Sequence, residues 1–437
     1  MASLLAGFLI LIAVGTLLLW LPIASREEGS VPLLTALFTA TSAVCVTGLV
    51  VVDTYDYYTL FGQMVILGLI QLGGLGFMAS STLLILALGR RVSVSQRVVT
   101  TSLTGTLGAS SVADLLKRIV IMTVAFEVVG TVVLTVLFMA HDGSAEPRTF
   151  WRALFISVSA FNNAGFDIEG GGRNLIGFAG NPFVLVTVAL LTLGGSLSYA
   201  VLWDVQQKRR WRTLTLNSKM VLSTFGALIV LGAVVIFVRE AFANGTLEPL
   251  ALPEALIVSV AESAYARTSG FTAFNLGGAE PEVLLLMSGL MFIGGASGST
   301  AGGIKVNTFT TLFATIIASI RGREHVQLFE REIPWDLVNR ALTVALLSVA
   351  ICFAVVFVLM ATNDVDSIDL IFETASAFGT TGLSTGITGT LNAAGQLTLI
   401  VAMFIGRVGP LTIALALSAR FTARERIRYP EAEINIG

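Results

Sequence analysis

About eight stretches of roughly 20 apolar residues constrain this chain more than any other feature. They run over residues 4–21, 60–88, 119–140, 183–202, 220–237, 283–320 with an interruption, 341–361 and 397–417. Only helices and closed barrels satisfy their own backbone inside a bilayer, and a helix needs about 20 apolar residues to cross one. Charged residues make up 12% of the 437, and the mean hydropathy is +0.86. A soluble domain carries about 25% charged residues. That deficit excludes a soluble enzyme, a DNA-binding module and a disordered scaffold. The net charge of −2 gives no basis for a nucleic-acid partner. The first stretch lacks a basic leader and is long for a signal peptide, so it is expected to be a retained helix. The two cysteines, Cys45 and Cys352, allow at most one disulfide and no thiol metal cluster. The two histidines, His141 and His325, are far apart, so neither a transition-metal site nor a Ser/His/Asp triad is expected.

Basic residues orient such a chain. With the N-terminus in the cytoplasm, nineteen lysines and arginines fall in inner loops, including Arg90, Arg91, Arg97, Lys117, Arg118, Lys208–Arg212, Arg321, Arg323, Arg331 and Arg420–Arg428. Six fall outside: Arg26, Arg148, Arg152, Arg173, Arg239 and Arg267. Both termini are then cytoplasmic. The outer loops hold many acids, among them Asp53, Asp56, Asp142, Asp167, Glu169, Glu280, Asp364, Asp366 and Asp369. These either keep the loops soluble or gather cations at an entrance.

Between each pair of apolar stretches lies a shorter apolar segment that ends in a glycine: Gly48, Gly165, Gly270 and Gly382. The glycines are 117, 105 and 112 residues apart, close to a quarter of the chain. Ser42-Ala43, Ser159-Ala160 and Ser376-Ala377 stand six and five positions before their glycine, while the third segment has Ala264-Tyr265 instead. Each short segment is too short to span and has the length of a re-entrant helix. The expected fold is therefore an all-α membrane protein of four fused helix–pore-helix–helix repeats, with eight transmembrane helices and four re-entrant pore loops in a pseudo-fourfold, potassium-channel-like arrangement. The repeats are placed at 1–88, 89–216, 217–321 and 322–437.

Four such turns about one axis would bring backbone carbonyls together, and a carbonyl ring can replace the hydration shell of a cation. The filter is expected at Val46, Thr47 and Gly48; Asn163, Ala164 and Gly165; Thr268, Ser269 and Gly270; and Thr380, Thr381 and Gly382. One glycine per motif implies a shorter filter than the TVGYG run gives. The sixth apolar stretch is interrupted by Gly294, Gly295, Ala296, Ser297, Gly298, Ser299, Thr300, Ala301, Gly302 and Gly303, followed by Lys305. Five glycines in ten residues break a helix. The break is read either as a flexible gate or as a tight packing turn between half-helices. A phosphate loop fits worse, since GSTAGGIK lacks the Gly-Lys-Ser/Thr ending. Arg407 stands inside the last stretch, beside Gly409-Pro410, as a barrier in an ion path or as an anchor for another helix's carbonyls. Glu127, Glu262 and Glu373 need partners, and Arg267 is the expected one for Glu262. Tyr55, Tyr57 and Tyr58 read as interfacial aromatics.

The repeated unit with VTGL, NAGF, TSGF and TTGL resembles the Trk/Ktr/HKT superfamily of cation transporters over essentially the whole chain. The lack of extra N-terminal spans and the short C-terminus make it most similar to the KtrB branch, the membrane subunits of Ktr potassium uptake systems. The resemblance implies a fused pseudo-tetramer that carries K⁺ on filter carbonyls. Members that prefer sodium often carry serine at the first filter position, so glycine at all four implies potassium preference. It further implies an intramembrane gating loop over 294–303, a pore-facing Arg407 and stimulation by Na⁺. As partners it implies a homodimer and a cytoplasmic KtrA-like ring, which binds ATP or ADP in place of this chain. The alternative functions are a strictly sodium-coupled symporter and a less selective K⁺/Na⁺ channel.

Overall fold

The computed structural model describes residues 2–27, 29–89, 109–144, 146–242 and 245–409. Arg90, Arg91, Arg97, Pro410, the end of the last apolar stretch and the basic C-terminal residues from Arg420 onward lie outside the described residues.

The chain is helical in four similar passages. The first contains α1 (Ala2–Trp20), α2 (Leu33–Val44) and α3 (Leu60–Gly89). The second contains α4 (Ala109–Asp142), α5 (Pro147–Asn162), α6 (Pro182–Ser196) and α7 (Tyr199–Lys208). The third contains α8 (Leu216–Phe242), α9 (Leu252–Tyr265), α10 (Pro281–Phe292) and α11 (Val306–Ile320). A hairpin of β1 (Val326–Leu328) and β2 (Arg331–Ile333) leads to α12 (Trp335–Thr362), α13 (Ser367–Gly379) and α14 (Ala393–Val408). Local signals set many starts: Pro147, Pro182 and Pro281 open their helices, where a missing N–H costs nothing. The Asn392 side chain accepts from Gly395 N at 2.8 Å to cap α14.

Among the described residues, four helices are long and apolar enough to cross a membrane alone: Leu60–Ala79, Asp114–Asp142, Leu216–Phe242 and Trp335–Thr362. A fifth span results if α6 and α7 count together, although they bend by 102° at Leu197-Ser198. The expected uninterrupted stretch over 183–202 is thus broken. The sixth stretch is broken as expected, between α10 and α11. The long helices turn large apolar side chains outward, such as Val128, Val132 and Val136 on α4, and Phe353, 72% exposed, on α12. Such bands are a liability in water and are at rest in lipid.

The short helices are different. Their C-terminal halves are buried and carry hydroxyls and carboxylates, including Thr39, Thr41 and Ser42 on α2, and Glu373, Thr374 and Ser376 on α13. In its own passage α2 packs between α1 and α3, α5 between α4 and α6, and α13 between α12 and α14, while α9 packs on α8. In addition, α3 packs on α5, α6 on α9, α10 on α13, and α14 on α2. The four passages therefore close into a ring, with the short helices inside.

Candidate functional site

The four short helices end at four similar turns. Val46, Asn163, Thr268 and Thr380 have φ of 55°, 60°, 86° and 49°, and Gly48, Gly165, Gly270 and Gly382, two residues on, have 95°, 68°, 75° and 97°. The residue between them keeps a negative φ. Such alternation turns successive carbonyls toward one side of the strand. Positive φ on β-branched Val46, Thr268 and Thr380 is strained, and strain of this kind persists only where the surroundings enforce it.

Backbone bonds enforce it here. Thr47 N donates to Ser42 O (2.8 Å), Ala164 N to Ser159 O (2.7 Å) and Thr381 N to Ser376 O (2.8 Å). The third turn is tighter by one residue, with Ser269 N donating to Tyr265 O (2.9 Å). The hydroxyls of Ser42 and Ser376 also accept from Gly48 N and Gly382 N, each at 3.0 Å. Ser159 Oγ has no partner among the described residues, and Ala264 has no hydroxyl to offer. Tyr265 instead donates its hydroxyl to Leu185 O at 2.7 Å.

The glycines close a ring in chain order. A Cβ on Gly48 would collide with Ala164 O and lie 3.1 Å from Gly165 Cα. One on Gly165 would lie 2.8 Å from Ser269 O and 2.7 Å from Gly270 Cα. One on Gly270 would collide with Thr381 O and lie 3.2 Å from Gly382 Cα, and one on Gly382 would collide with Thr47 O and lie 2.9 Å from Gly48 Cα. Only glycine permits this approach. All twelve residues expected to form a filter are thereby brought together. Of their carbonyls, only Gly270 O meets a hydrogen-bond donor among the described residues, Asn174 Nδ2 at 3.4 Å. Val46, Thr47, Ala164, Ser269 and Thr381 are buried, so these are unpaired acceptors inside the protein. The C-terminal, negative ends of four helix dipoles lie beside them. The ring suits a cation.

Behind the ring, the expected carboxylates serve as clasps. Glu262 accepts from Ala273 N, three residues past its glycine, and Glu373 accepts from the hydroxyls of Ser384 and Thr388. Glu127 accepts from Gln71 Nε2 (3.1 Å) and from Asn162 Nδ2 (3.0 Å), next to Asn163. The expected Glu262–Arg267 pair does not form. Arg267 lies beyond the end of α9 and donates instead to Gly294 O at 2.8 Å. It is fully buried, so it does not belong with the exposed outer basic residues. Tyr58 is likewise buried, bonding Thr39 Oγ1 at 3.1 Å, while Tyr55 takes Arg26 and Arg148 over its ring.

The segment over 293–305 is looped, as its glycines lead one to expect. Its ends are held together: Gly294 N donates to Ile304 O (2.8 Å), Ile304 N to Phe292 O (3.2 Å) and Val306 N to Gly295 O (3.0 Å). Gly298 and Gly303 take φ of 84° and 62°. Ala296 N and Thr300 N donate to Ser196 O and Gly195 O, and Ser297 N donates to Asn307 Oδ1 at 3.3 Å. Ser299 Oγ accepts from Ala301 N at 3.3 Å. The loop touches the ring directly. The Thr300 hydroxyl pairs with the Asn163 amide at 2.7 Å, and a Cβ on Gly302 would strike the Thr380 side chain.

Two cations bear on the loop. Arg407, fully buried, donates to Thr300 O and, at 3.0 Å, to Gly73 O on α3. Lys305 Nζ donates to Ala301 O and Gly302 O. Both lie over the Phe77 ring, Arg407 Cζ at 4.4 Å and Lys305 Nζ at 5.1 Å from its centroid. Desolvated cation–π contacts reach about 2 kcal/mol each. Sequence reading missed Phe77, which looks like any apolar residue of a long helix. It also missed a set of contact glycines. Gly73, Gly195 and Gly406 each lie against a carbonyl four residues before a ring glycine, those of Val44, Phe161 and Phe378. The recurrent Gly in LGG, LGG, IGG and IGR was the available signal.

On the far side of the ring from the loop, Asp167 follows Gly165 by two residues. Burial pushes its carboxyl up to about 6, and Asp53 adds to the rise. Burial pushes Glu169 up to about 7, against the pull of Arg152, whose Nε lies 2.8 Å away.

Residues 3–423 match the family model TrkH, described as a cation transport protein. The chain is similar to Ktr system potassium uptake protein B of Bacillus subtilis (strain 168), with 36% identity over 99% of this chain and 95% of that one. It is equally similar, at 36% over 99% of this chain and 96% of the relative, to the potassium/sodium uptake protein NtpJ of Enterococcus hirae. Its fold matches the crystal structure of the potassium transporter TrkH from Vibrio parahaemolyticus with a TM-score of 0.75 at 18% identity, covering 95% of this chain and 86% of that one.

Proposed function

Because this chain belongs to the TrkH family of cation transport proteins, we propose that it takes up potassium ions through the centre of the glycine ring. The observation that carries this reading is the closed ring of Gly48, Gly165, Gly270 and Gly382 with its unpaired buried carbonyls. A potassium ion exchanges its hydration shell for the carbonyls of Val46–Gly48, Asn163–Gly165, Thr268–Gly270 and Thr380–Gly382. The positive residues at the loop oppose it below. At an effective dielectric constant of about 20, a cation roughly 6 Å from Arg407 or Lys305 meets a repulsion of about 3 kcal/mol from that charge alone. The loop over 294–303 fills the path beneath the ring and is the gate. Motion through the open path follows the electrochemical gradient, inward where the cell interior is negative.

In this reading the chain crosses the cell membrane eight times with both termini in the cytoplasm. Its repeats are 1–88, 89–216, 217–321 and 322–437. The four short helices re-enter from outside. Sodium stimulates uptake, and a separate cytoplasmic nucleotide-binding ring of the KtrA kind, docked on a homodimer, sets the gate through ATP or ADP. The relative named for both potassium and sodium favours a second reading, a less selective or sodium-coupled pathway. Reversal potentials in sodium gradients separate the two, since fixed coupling shifts them in proportion.

The test is rescue of a potassium-uptake-deficient bacterium at low external potassium, with and without sodium. Growth on expression of the chain supports the reading, and no growth despite membrane-inserted protein opposes it.

The outer acids give a pH dependence. Asp167 is charged at pH 7.5 and loses that charge as the external pH falls through about 6. Uptake should then fall by about twofold between pH 7.5 and 5.5, as local cation concentration drops. Asp167→Asn should show the lower rate already at pH 7.5 and a flatter profile. A profile identical to the wild type would remove Asp167 from the entrance.

A further inference from the structure

Arg267 has no role in the reading above, yet it is fully buried, as are Glu240 and Glu262 of the same passage. It immediately precedes Thr268, whose φ of 86° opens the third turn. Its side chain is completely buried, with the guanidinium carbon 4.5 Å from the centre of the Phe225 ring. No carboxylate pairs with it among the described residues. Its one hydrogen bond runs from Nη2 to Gly294 O at 2.8 Å, while Nε and Nη1 have no partner.

Gly294 is where α10 has given way to the loop. Its N–H is held by Ile304 O, so it belongs to the clasp that joins the loop's two ends. A cation is favoured at the C-terminal end of a helix, and an arginine fork holds a carbonyl with fixed geometry. One residue thus joins the root of the loop to the backbone of the third turn. The other contacts between loop and ring, Thr300 with Asn163 and Gly302 with Thr380, lie at the loop's middle and far end. They part when the loop leaves. The bond at Gly294 lies instead at the loop's clasped root.

We propose that Arg267 is a positioning residue that couples the loop to the third turn of the ring, so that the conformation of Thr268–Gly270, and with it ion discrimination, depends on the position of the loop. The two unpartnered nitrogens, Nε and Nη1, bear on this. Buried donors without acceptors are costly, so the arrangement with the loop in place leaves Arg267 under-satisfied and ready to take other carbonyls when the root shifts.

This rests on the proposed potassium pathway, and the experiment separates the two. Purified wild type, R267Q, R267K, a variant lacking residues 297–301 and the combined R267Q deletion are compared in proteoliposomes. The readouts are the K⁺/Na⁺ flux ratio, the apparent KM for potassium and the maximal rate. With the loop intact, R267Q should lower the flux ratio about tenfold and raise KM, while R267K, which keeps one donor toward Gly294 O, recovers most of both. In the loop-deleted background R267Q should change the ratio by less than about twofold, because the middle of the loop, whose position Arg267 transmits through Gly294, is gone. Equal effects of R267Q in both backgrounds, or a fall in maximal rate with ratio and KM unchanged, would overturn the coupling. Should R267Q not fold, R267K decides in its place: its KM and flux ratio must depart further from the wild type with the loop intact than with it deleted, and equal departures overturn the proposal. A wild type that carries no potassium defeats the pathway itself, a different outcome from any of these.

Discussion

Gly382→Ser is expected to lower discrimination of potassium over sodium by at least about tenfold, or about 1.4 kcal/mol. Gly382 takes φ of +97°, and a Cβ there strikes Thr47 O and lies 2.9 Å from Gly48 Cα. No rotamer relieves a clash between backbones. The fourth turn must move away from the first, and the Thr47 carbonyl moves with it. Potassium loses ligands that match its size, while sodium, in a wider and wetter ring, keeps more of its water. Gly386 supplies the control. Its φ is +98°, but a Cβ there meets nothing within 4 Å. Gly386→Ser carries the same backbone strain without the collision and should leave the flux ratio unchanged. Flux ratios measured on purified protein in liposomes check both. Equal ratios in wild type and Gly382→Ser would place discrimination elsewhere.

Removal of residues 297–301 is expected to raise unstimulated flux at least about tenfold. The loop's ends stay clasped through Gly294, Gly295, Ile304 and Val306, so α10 and α11 need not move when its middle is removed. What disappears is the proposed plug: Thr300 against Asn163, and the acceptors at Thr300 O and Ala301 O for Arg407 and Lys305. Each cation then loses one partner, leaving Arg407 on Gly73 O, Lys305 on Gly302 O and both over the Phe77 ring. The measurement is potassium entry into proteoliposomes that contain this chain alone. Unchanged entry in a folded variant would mean that the loop is a packing device.

The four glycine turns were legible because four glycines are required at one geometric place, and no other residue fits there. Even the third segment's departure, Ala264-Tyr265 in place of Ser-Ala, was visible and has a cause: its turn closes one residue sooner, on Tyr265 O. The bond partners were not legible. Arg267 stands five residues after Glu262, a spacing that invites a pair, yet α9 has ended between them and the two side chains part. Phe77 gains its meaning only from cations of the third and fourth passages, more than 200 residues away in the chain. The bend at Leu197-Ser198 has no proline to announce it. The hairpin of β1 and β2 turns on Phe329 and Glu330, both at positive φ, where a sequence signal would be Asn-Gly.

The central claim is that the unpaired carbonyls of the ring hold the ion. The direct measurement is anomalous diffraction from crystals of this chain grown with thallium or rubidium in place of potassium. The expected result is density on the ring axis, among the carbonyls of Thr47, Ala164, Ser269 and Thr381 and those of their neighbouring glycines. An ordered ring without such density, with the ion bound elsewhere, would contradict it.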